Sequence, residues 1–180
     1  MTIIAASEDT NQVCIATDSL GSYDNLKIEF GSKLISKKNY TLSNAGSYRV
    51  GDVLEEYECF PNEIRDLNDL RKFRDELINI VRSYEFLVNP RNEDNYPNIS
   101  IIIVSPHGIF TIEDDFQIHT IETGFYASGT GEEVAMGALY TCKSLGLDAK
   151  TSVQLACEAS IHSCITCGGA IHYKSFKKPF

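Results

Sequence analysis

A threonine stands second in the chain and opens an apolar run, Thr2-Ile3-Ile4-Ala5-Ala6. Methionine ahead of a small residue is generally trimmed, so Met1 is expected to be removed. Thr2 then carries a free α-amino group beside its own hydroxyl, and one residue holds both a nucleophile and a base. The amine's reference pKa of about 7.7–8.0 already lies near an operating pH. Three further groups complete such a site. A nearby ammonium disfavours protonation of the amine, because like charges repel. A carboxylate holds that ammonium, and an aimed backbone N–H stabilises the oxyanion that develops on the substrate. The chain offers a carboxylate, Asp18, where the strand-like Val13-Cys14-Ile15-Ala16 ends, and a lysine, Lys33, entering Leu34-Ile35. A glycine, Gly46, closes Ser43-Asn44-Ala45 and would admit close approach of a substrate backbone.

The elements that must position these groups alternate in type. Strands are expected at about 2–7 and 12–18, joined by the polar Ser7-Glu8-Asp9-Thr10-Asn11. A loop with Gly21 and Asp24-Asn25 follows, then strands near 33–37 and 40–45. Val50, Val53, Leu54 and Tyr57 recur at a helical period over 48–60, and Pro61-Asn62 ends that run. A second helix near 66–87 aligns Leu67, Leu70, Phe73, Leu77, Ile80 and Val81, and the polar stretch 89–95 closes it. Ile99-Ser100-Ile101-Ile102-Ile103-Val104 is too apolar for a half-exposed strand and is expected to be buried on both faces. Strands at 109–112 and near 126–128, helices at about 131–145 and 149–164, and a last strand at 170–173 complete the order. Strands, two helices, strands, two helices and a strand predict an α+β fold.

Composition narrows the function classes. The 180 residues are expected to form one domain, 1–180, with 43% hydrophobic and 23% charged residues. A formal net charge of −9 argues against binding to nucleic acid, which needs clustered Lys and Arg. Lys174, Lys177 and Lys178 are the only basic cluster and read as a short solvated C-terminal tail. No stretch approaches the ~20 apolar residues of a membrane span, and no signal peptide precedes the first strand. A cytoplasmic protein is expected. The six cysteines, at 14, 59, 142, 157, 164 and 167, then read mostly as reduced core residues. Cys164-Ile165-Thr166-Cys167 has CxxC spacing but no second CxxC, which argues against a zinc site.

Taken in order, Met1-Thr2, Thr17-Asp18-Ser19, Gly31-Ser32-Lys33, Ser43-Asn44-Ala45-Gly46-Ser47 and Ser128-Gly129-Thr130-Gly131 resemble the β-type subunits of the proteasome family. The resemblance is strongest to the bacterial HslV-type proteolytic subunit and spans residues 2 to 173. It implies the four-layer αββα sandwich of N-terminal nucleophile hydrolases and a threonine endopeptidase acting on protein and peptide substrates. Thr2 would be the nucleophile, Lys33 the charge near its amine, and Asp18 the carboxylate behind Lys33. Asp18 stands sixteen residues after Thr2, as the resemblance requires; Lys33 follows fifteen later, one fewer than in the family. Gly46 matches the oxyanion glycine. Thr130 replaces a family serine whose hydroxyl bonds near the nucleophile's amine. Asn44 and Tyr48 are candidates for lining the pocket that receives the residue before the scissile bond. Where many proteasomal subunits carry aspartate and serine, this chain has Cys164 and Cys167. The HslV branch resembles it in having cysteine at the first of these places. In that branch backbone carbonyls can hold a structural monovalent or divalent cation, for which Ile161, Cys164 and Cys167 are the counterparts. No cofactor is required.

The resemblance also implies self-assembly into a ring, two rings stacked, with an ATP-dependent unfoldase as candidate partner. In the family the helices corresponding to 48–60 and 66–87 contribute to subunit contacts, so their apolar stripes are expected there. Two alternatives stand beside this reading. One is a non-catalytic ring subunit that retains Met1; the other is an N-terminal nucleophile amidohydrolase or ligase that forms no ring. An anion cradle at Gly129-Thr130-Gly131 is disfavoured, because Glu132 and Glu133 follow and no Lys or Arg stands nearby in sequence.

Overall fold

The computed structural model describes residues 2–23, 26–84 and 99–179. Strands β1 (Ile3–Glu8) and β2 (Gln12–Asp18) form a hairpin, with β10 (Phe125–Gly129) beside β1 and β11 (Ile171–Lys177) beside β2. All three pairings are antiparallel. A second antiparallel sheet runs β5 (Ile35–Ser36), β6 (Thr41–Gly46), β7 (Ile99–Ser105), β8 (Gly108–Ile112) and β9 (Ile118–Thr120). Helices α1 (Tyr48–Glu56) and α2 (Leu67–Ser83) belong with the second sheet, and α3 (Glu132–Ser144) and α4 (Ala149–Ser163) with the first.

The period of two along each strand builds the layers. Ile3, Ala5, Cys14 and Ala16 point into the apolar cluster under α3 and α4. Their neighbours Ile4, Ala6, Val13 and Ile15 point the other way and meet Ile102, Val104 and Ile109 of the facing sheet. On β7, Ile101 and Ile103 turn instead toward Leu54, Phe73 and Leu77 of α1 and α2. The Ile-rich strand is therefore buried on both faces, as its composition predicts. The result is the α+β, four-layer αββα sandwich.

Most elements lie where the periodicity placed them, with ends shifted by a few residues. Helix α1 stops at Glu56, short of the expected 60. Helix α2 starts on an Asp66 cap, whose side chain accepts from the Asn68 and Asp69 amides at 2.8 and 3.1 Å. It ends at Ser83, and the polar stretch 89–95 lies outside the described residues. Three strands were not foreseen. Residues 20–29, read as a loop, form the hairpin pair β3 (Leu20–Tyr23) and β4 (Leu26–Glu29); β9 is the third. The alternation in Leu20-Gly21-Ser22-Tyr23 is too short to stand out. The basic tail also needs correction. Lys174 and Lys177 sit in β11, which runs to Lys177 and pairs with β2, and Lys178 bonds Glu8 at 3.1 Å.

A second correction concerns the stripes of α1 and α2. Val50, Leu54, Leu70, Phe73, Leu77, Ile80 and Val81 are buried in the chain's own core, so they do not face a neighbouring subunit. Of the cysteines, Cys14, Cys142, Cys157 and Cys167 are buried, whereas Cys59 is exposed and Cys164 only partly covered. Among the described residues, no helix is long and apolar enough to cross a membrane.

Phe73 is the aromatic hub beneath α2. It stacks on Phe60 with ring centroids 4.1 Å apart and meets Tyr40 edge-on at 6.1 Å. Phe73→Ala is expected to cost about 3–5 kcal/mol of stability through lost burial and the cavity left behind. Urea unfolding followed by circular dichroism measures it.

Candidate active site

The hairpin register brings the first candidates together. Ile4 pairs with Thr17, so Thr2, just ahead of β1, lies beside Asp18 at the end of β2. The Thr2 hydroxyl donates to Asp18 Oδ1 at 2.8 Å, and the Ile3 amide donates to the same oxygen at 3.2 Å. The other carboxylate oxygen accepts from the Gly168 amide at 3.0 Å, in the turn before β11. Asp18 is fully buried and thus fixed from both ends of the chain.

Lys33 lies just ahead of β5 and reaches into the same place. Its Nζ donates to Asp18 Oδ1 at 2.6 Å, to Thr2 Oγ1 at 2.8 Å and to the Leu20 carbonyl at 2.6 Å. An ammonium has three N–H groups, and all three are used. Only 9% of the Lys33 side chain reaches solvent. Burial pulls its pKa below the ordinary lysine value, with the Asp18 carboxylate opposing the shift. A positive charge so placed lowers the cost of negative charge on Thr2 Oγ1.

Gly129 and Thr130 close the other side. Gly129 has φ +101, and a Cβ there would overlap the Thr2 carbonyl oxygen, so the position requires glycine. Thr130 Oγ1 donates to the Thr2 carbonyl at 3.3 Å; the bond is to the carbonyl, whereas the resemblance placed it near the amine. Thr130 Oγ1 also lies 3.0 Å from Thr166 Oγ1 and 3.9 Å from Cys167 Sγ. Burial raises the Cys167 thiol pKa, which disfavours a reactive thiolate beside Thr2. Gly46 ends β6 with φ +109 and is exposed on the same pocket as Thr2.

That pocket has a volume of about 380 Å³. Tyr48, Asp52 and Glu55 of α1 form one wall, with Phe30, Leu34 and Asn44 opposite or beside them. Phe30 reaches Tyr48 with ring centroids 5.5 Å apart, and burial together with the Asp18 charge pushes the Tyr48 phenol pKa up. Asn44 donates to the Ser47 carbonyl at 3.0 Å and so shapes the entry to α1.

Thr2, Asp18 and Lys33 thus make one hydrogen-bonded cluster, with Thr130 on the Thr2 backbone and Gly46, Asn44 and Tyr48 around the adjoining pocket. Ile161 and Cys164 lie at the end of α4, and Cys167 follows with its thiol beside Thr130. The Cys164 carbonyl already accepts the Cys167 amide at 3.1 Å. Among the described residues, no group of three or more His, Cys, Asp or Glu is placed to hold a metal ion. Sequence reasoning missed the Leu20 carbonyl, the Gly168 amide and Thr166. Two are backbone groups with no residue-type signal, and the third has a signal only once the turn at 164–170 is folded. It also missed Asp52 and Glu55, which read as ordinary exposed helix charges.

The sequence matches no protein-family model and no curated protein. Solved structures do match. BPH of Thiobacillus denitrificans superposes with a TM-score of 0.87 at 19% identity, over 98% of this chain and 98% of that one. The same protein in complex with epoxomicin gives 0.82 at 18% identity, over 98% and 99%. Eukaryotic HslV from Trypanosoma brucei gives 0.70 at 16% identity, over 97% and 99%. The chain therefore shares the fold of these proteins, the four-layer αββα sandwich that the sequence resemblance implied.

Asp18→Asn leaves the Lys33 ammonium without its counter-charge and turns an amide N–H₂ toward other donors. Removing one partner of a buried pair costs about 3–5 kcal/mol. Denaturant midpoints of the two proteins check this loss.

Proposed function

We propose that the protein is a threonine-type endopeptidase whose nucleophile is Thr2 after removal of Met1. The observation that carries this reading is the contact of the Thr2 hydroxyl with both Lys33 and Asp18 in one buried cluster. The structural likeness to an HslV, and to a protein solved in complex with epoxomicin, supports it.

In the mechanism, the free Thr2 amine takes the hydroxyl proton as Oγ1 attacks the scissile carbonyl. Lys33 stabilises charge on Oγ1 and discourages protonation of the amine. Asp18 holds Lys33 in place. The Gly46 amide faces the developing oxyanion, and Thr130 anchors the Thr2 carbonyl. The amine passes that proton to the departing peptide nitrogen as the scissile C–N bond breaks, which leaves an acyl ester on Oγ1; the amine then takes a proton from an attacking water and returns it to Oγ1 as the ester C–O bond breaks. Asn44 and Tyr48 line the substrate pocket. A cation held by the carbonyls of Ile161, Cys164 and Cys167 is a separate structural proposal and takes no part in these steps.

Thr2→Ala should abolish peptide cleavage without altering the circular dichroism spectrum. Full cleavage by that variant, or by protein whose intact mass includes Met1, would sink the reading. The pH profile tests Lys33. Its pKa lies below 10.5, so raising the pH through that lowered value discharges the ammonium and should reduce kcat/KM on the alkaline side. Lys33→Ala should slow turnover by about 10²–10⁴ and lose that alkaline limb, the rate factor being typical of general-base catalysis. An unchanged profile would show that Lys33 does not act on the reaction.

A homo-oligomeric ring, fed by an ATP-dependent unfoldase, is proposed with this activity, since a closed chamber would shield other proteins from the site. The buried stripes of α1 and α2 cannot supply its contacts. Exposed apolar side chains lie instead on and after α3, at Tyr140, Leu145 and Leu147. Native mass spectrometry at micromolar concentration should show species well above 20.0 kDa. A stable monomer would refute the ring.

A further inference from the structure

The wall that α1 presents to the pocket has an unusual composition for a helix lying on a core. The helix divides its residues by period. Val50 and Leu54 turn inward and are buried. Tyr48, Asp52 and Glu55, spaced by four and three residues, share the face that lines the pocket beside Thr2. Two carboxylates therefore border a space whose apolar lining comes from Phe30, Leu34 and Ile35.

Lys33 is the one lysine or arginine among the described lining residues, and it is paired with Asp18 in the buried pair. Lys37 donates to the Glu55 and Tyr57 carbonyls at 3.1 and 3.0 Å, so it sits near the far end of α1 and offsets part of the Glu55 charge. Arg49, on the same helix, does not line the pocket. With Lys33 paired to Asp18, the charges left on the described lining residues are the carboxylates of Asp52 and Glu55.

We propose that this pocket selects a basic side chain, lysine or arginine, for the residue before the scissile bond. The proposal rests on the peptidase reading above for the words "scissile bond", but the preference itself is a property of the pocket. An aliphatic stem packs along Phe30 and Leu34, and the charged tip reaches Asp52 and Glu55. An acidic residue in the same place meets two like charges and is rejected. Both carboxylates are exposed, so each attraction is screened by water and the preference is modest, roughly three- to tenfold.

Binding, measured without catalysis, separates the two claims. The Thr2→Ala protein is titrated into fluorescein-labelled tetrapeptides that differ only in ending with arginine amide, norleucine amide or glutamate amide, and anisotropy gives each Kd. The arginine peptide should bind about three- to tenfold tighter than the norleucine peptide, and the glutamate peptide weakest. In Asp52→Asn/Glu55→Gln protein the ratio of arginine to norleucine affinity should collapse toward one, and added salt should shrink it in the parent protein. Equal or better binding of norleucine overturns the proposal. So does a preference that survives in the double variant, or an arginine peptide that fails to bind up to millimolar protein. If the Thr2 protein cleaves no peptide while the arginine preference holds, the peptidase reading fails and the pocket's assignment stands.

Discussion

Lys33 carries its ammonium to a place where 9% of the side chain reaches solvent, and it survives there because every N–H finds an acceptor. Burying a charge costs several kcal/mol, even after relaxation, unless it is paired and hydrogen-bonded. Asp18 supplies the counter-charge, and Asp18 is itself held by the Ile3 and Gly168 amides. The ends of the first sheet's strands are thereby fixed relative to one another. Thr2 must lie beside Asp18, the turn before β11 must present Gly168, and the hairpin β3–β4 must return the chain so that Lys33 can enter. Such an arrangement is a poor source of stability compared with apolar packing. Its retention in a buried position therefore points to chemistry at Thr2.

The sandwich satisfies this demand by leaving an opening where its inner layers part. Ile4, Ala6, Val13 and Ile15 close the two sheets on each other along most of their length. Beyond Ile4, Thr2 takes the end position, and Gly46 ends the neighbouring strand of the facing sheet. Helix α1 begins two residues later, so the wall of the pocket is continuous with the strand that ends at Gly46. Thr2, Gly46 and Tyr48 thus meet at one pocket, with only Ser47 between the strand and the helix.

Much of this was legible in the sequence because it follows from periods of two and 3.6. The alternation in Ile101-Ile102-Ile103-Val104 separates the two apolar layers residue by residue, and the stripes of α1 and α2 mark helices. Thr2, Asp18 and Lys33 were readable as residue types at strand ends. What escaped falls into three kinds. Leu20 and Gly168 act through backbone groups, which side-chain identity does not encode. The partner of a face is also not encoded: an apolar stripe on α2 looks the same whether it meets its own sheet or another subunit, and here it meets Ile101 and Ile103. The bond from Thr130 to the Thr2 carbonyl depends on the sharp turn at Gly129, whose φ cannot be read from the letter G alone.

The account stands or falls on Thr2 being a free N-terminal nucleophile charged by its neighbours. The most direct measurement is reaction with a peptide epoxyketone, a reagent that closes a ring only with both the hydroxyl and the free amine of one terminal threonine. Intact mass followed by peptide mapping should find one adduct per chain, on a chain lacking Met1 and at the peptide that begins with Thr2. A chain that keeps Met1 and stays unmodified, or one modified only at the exposed Cys59, would contradict it.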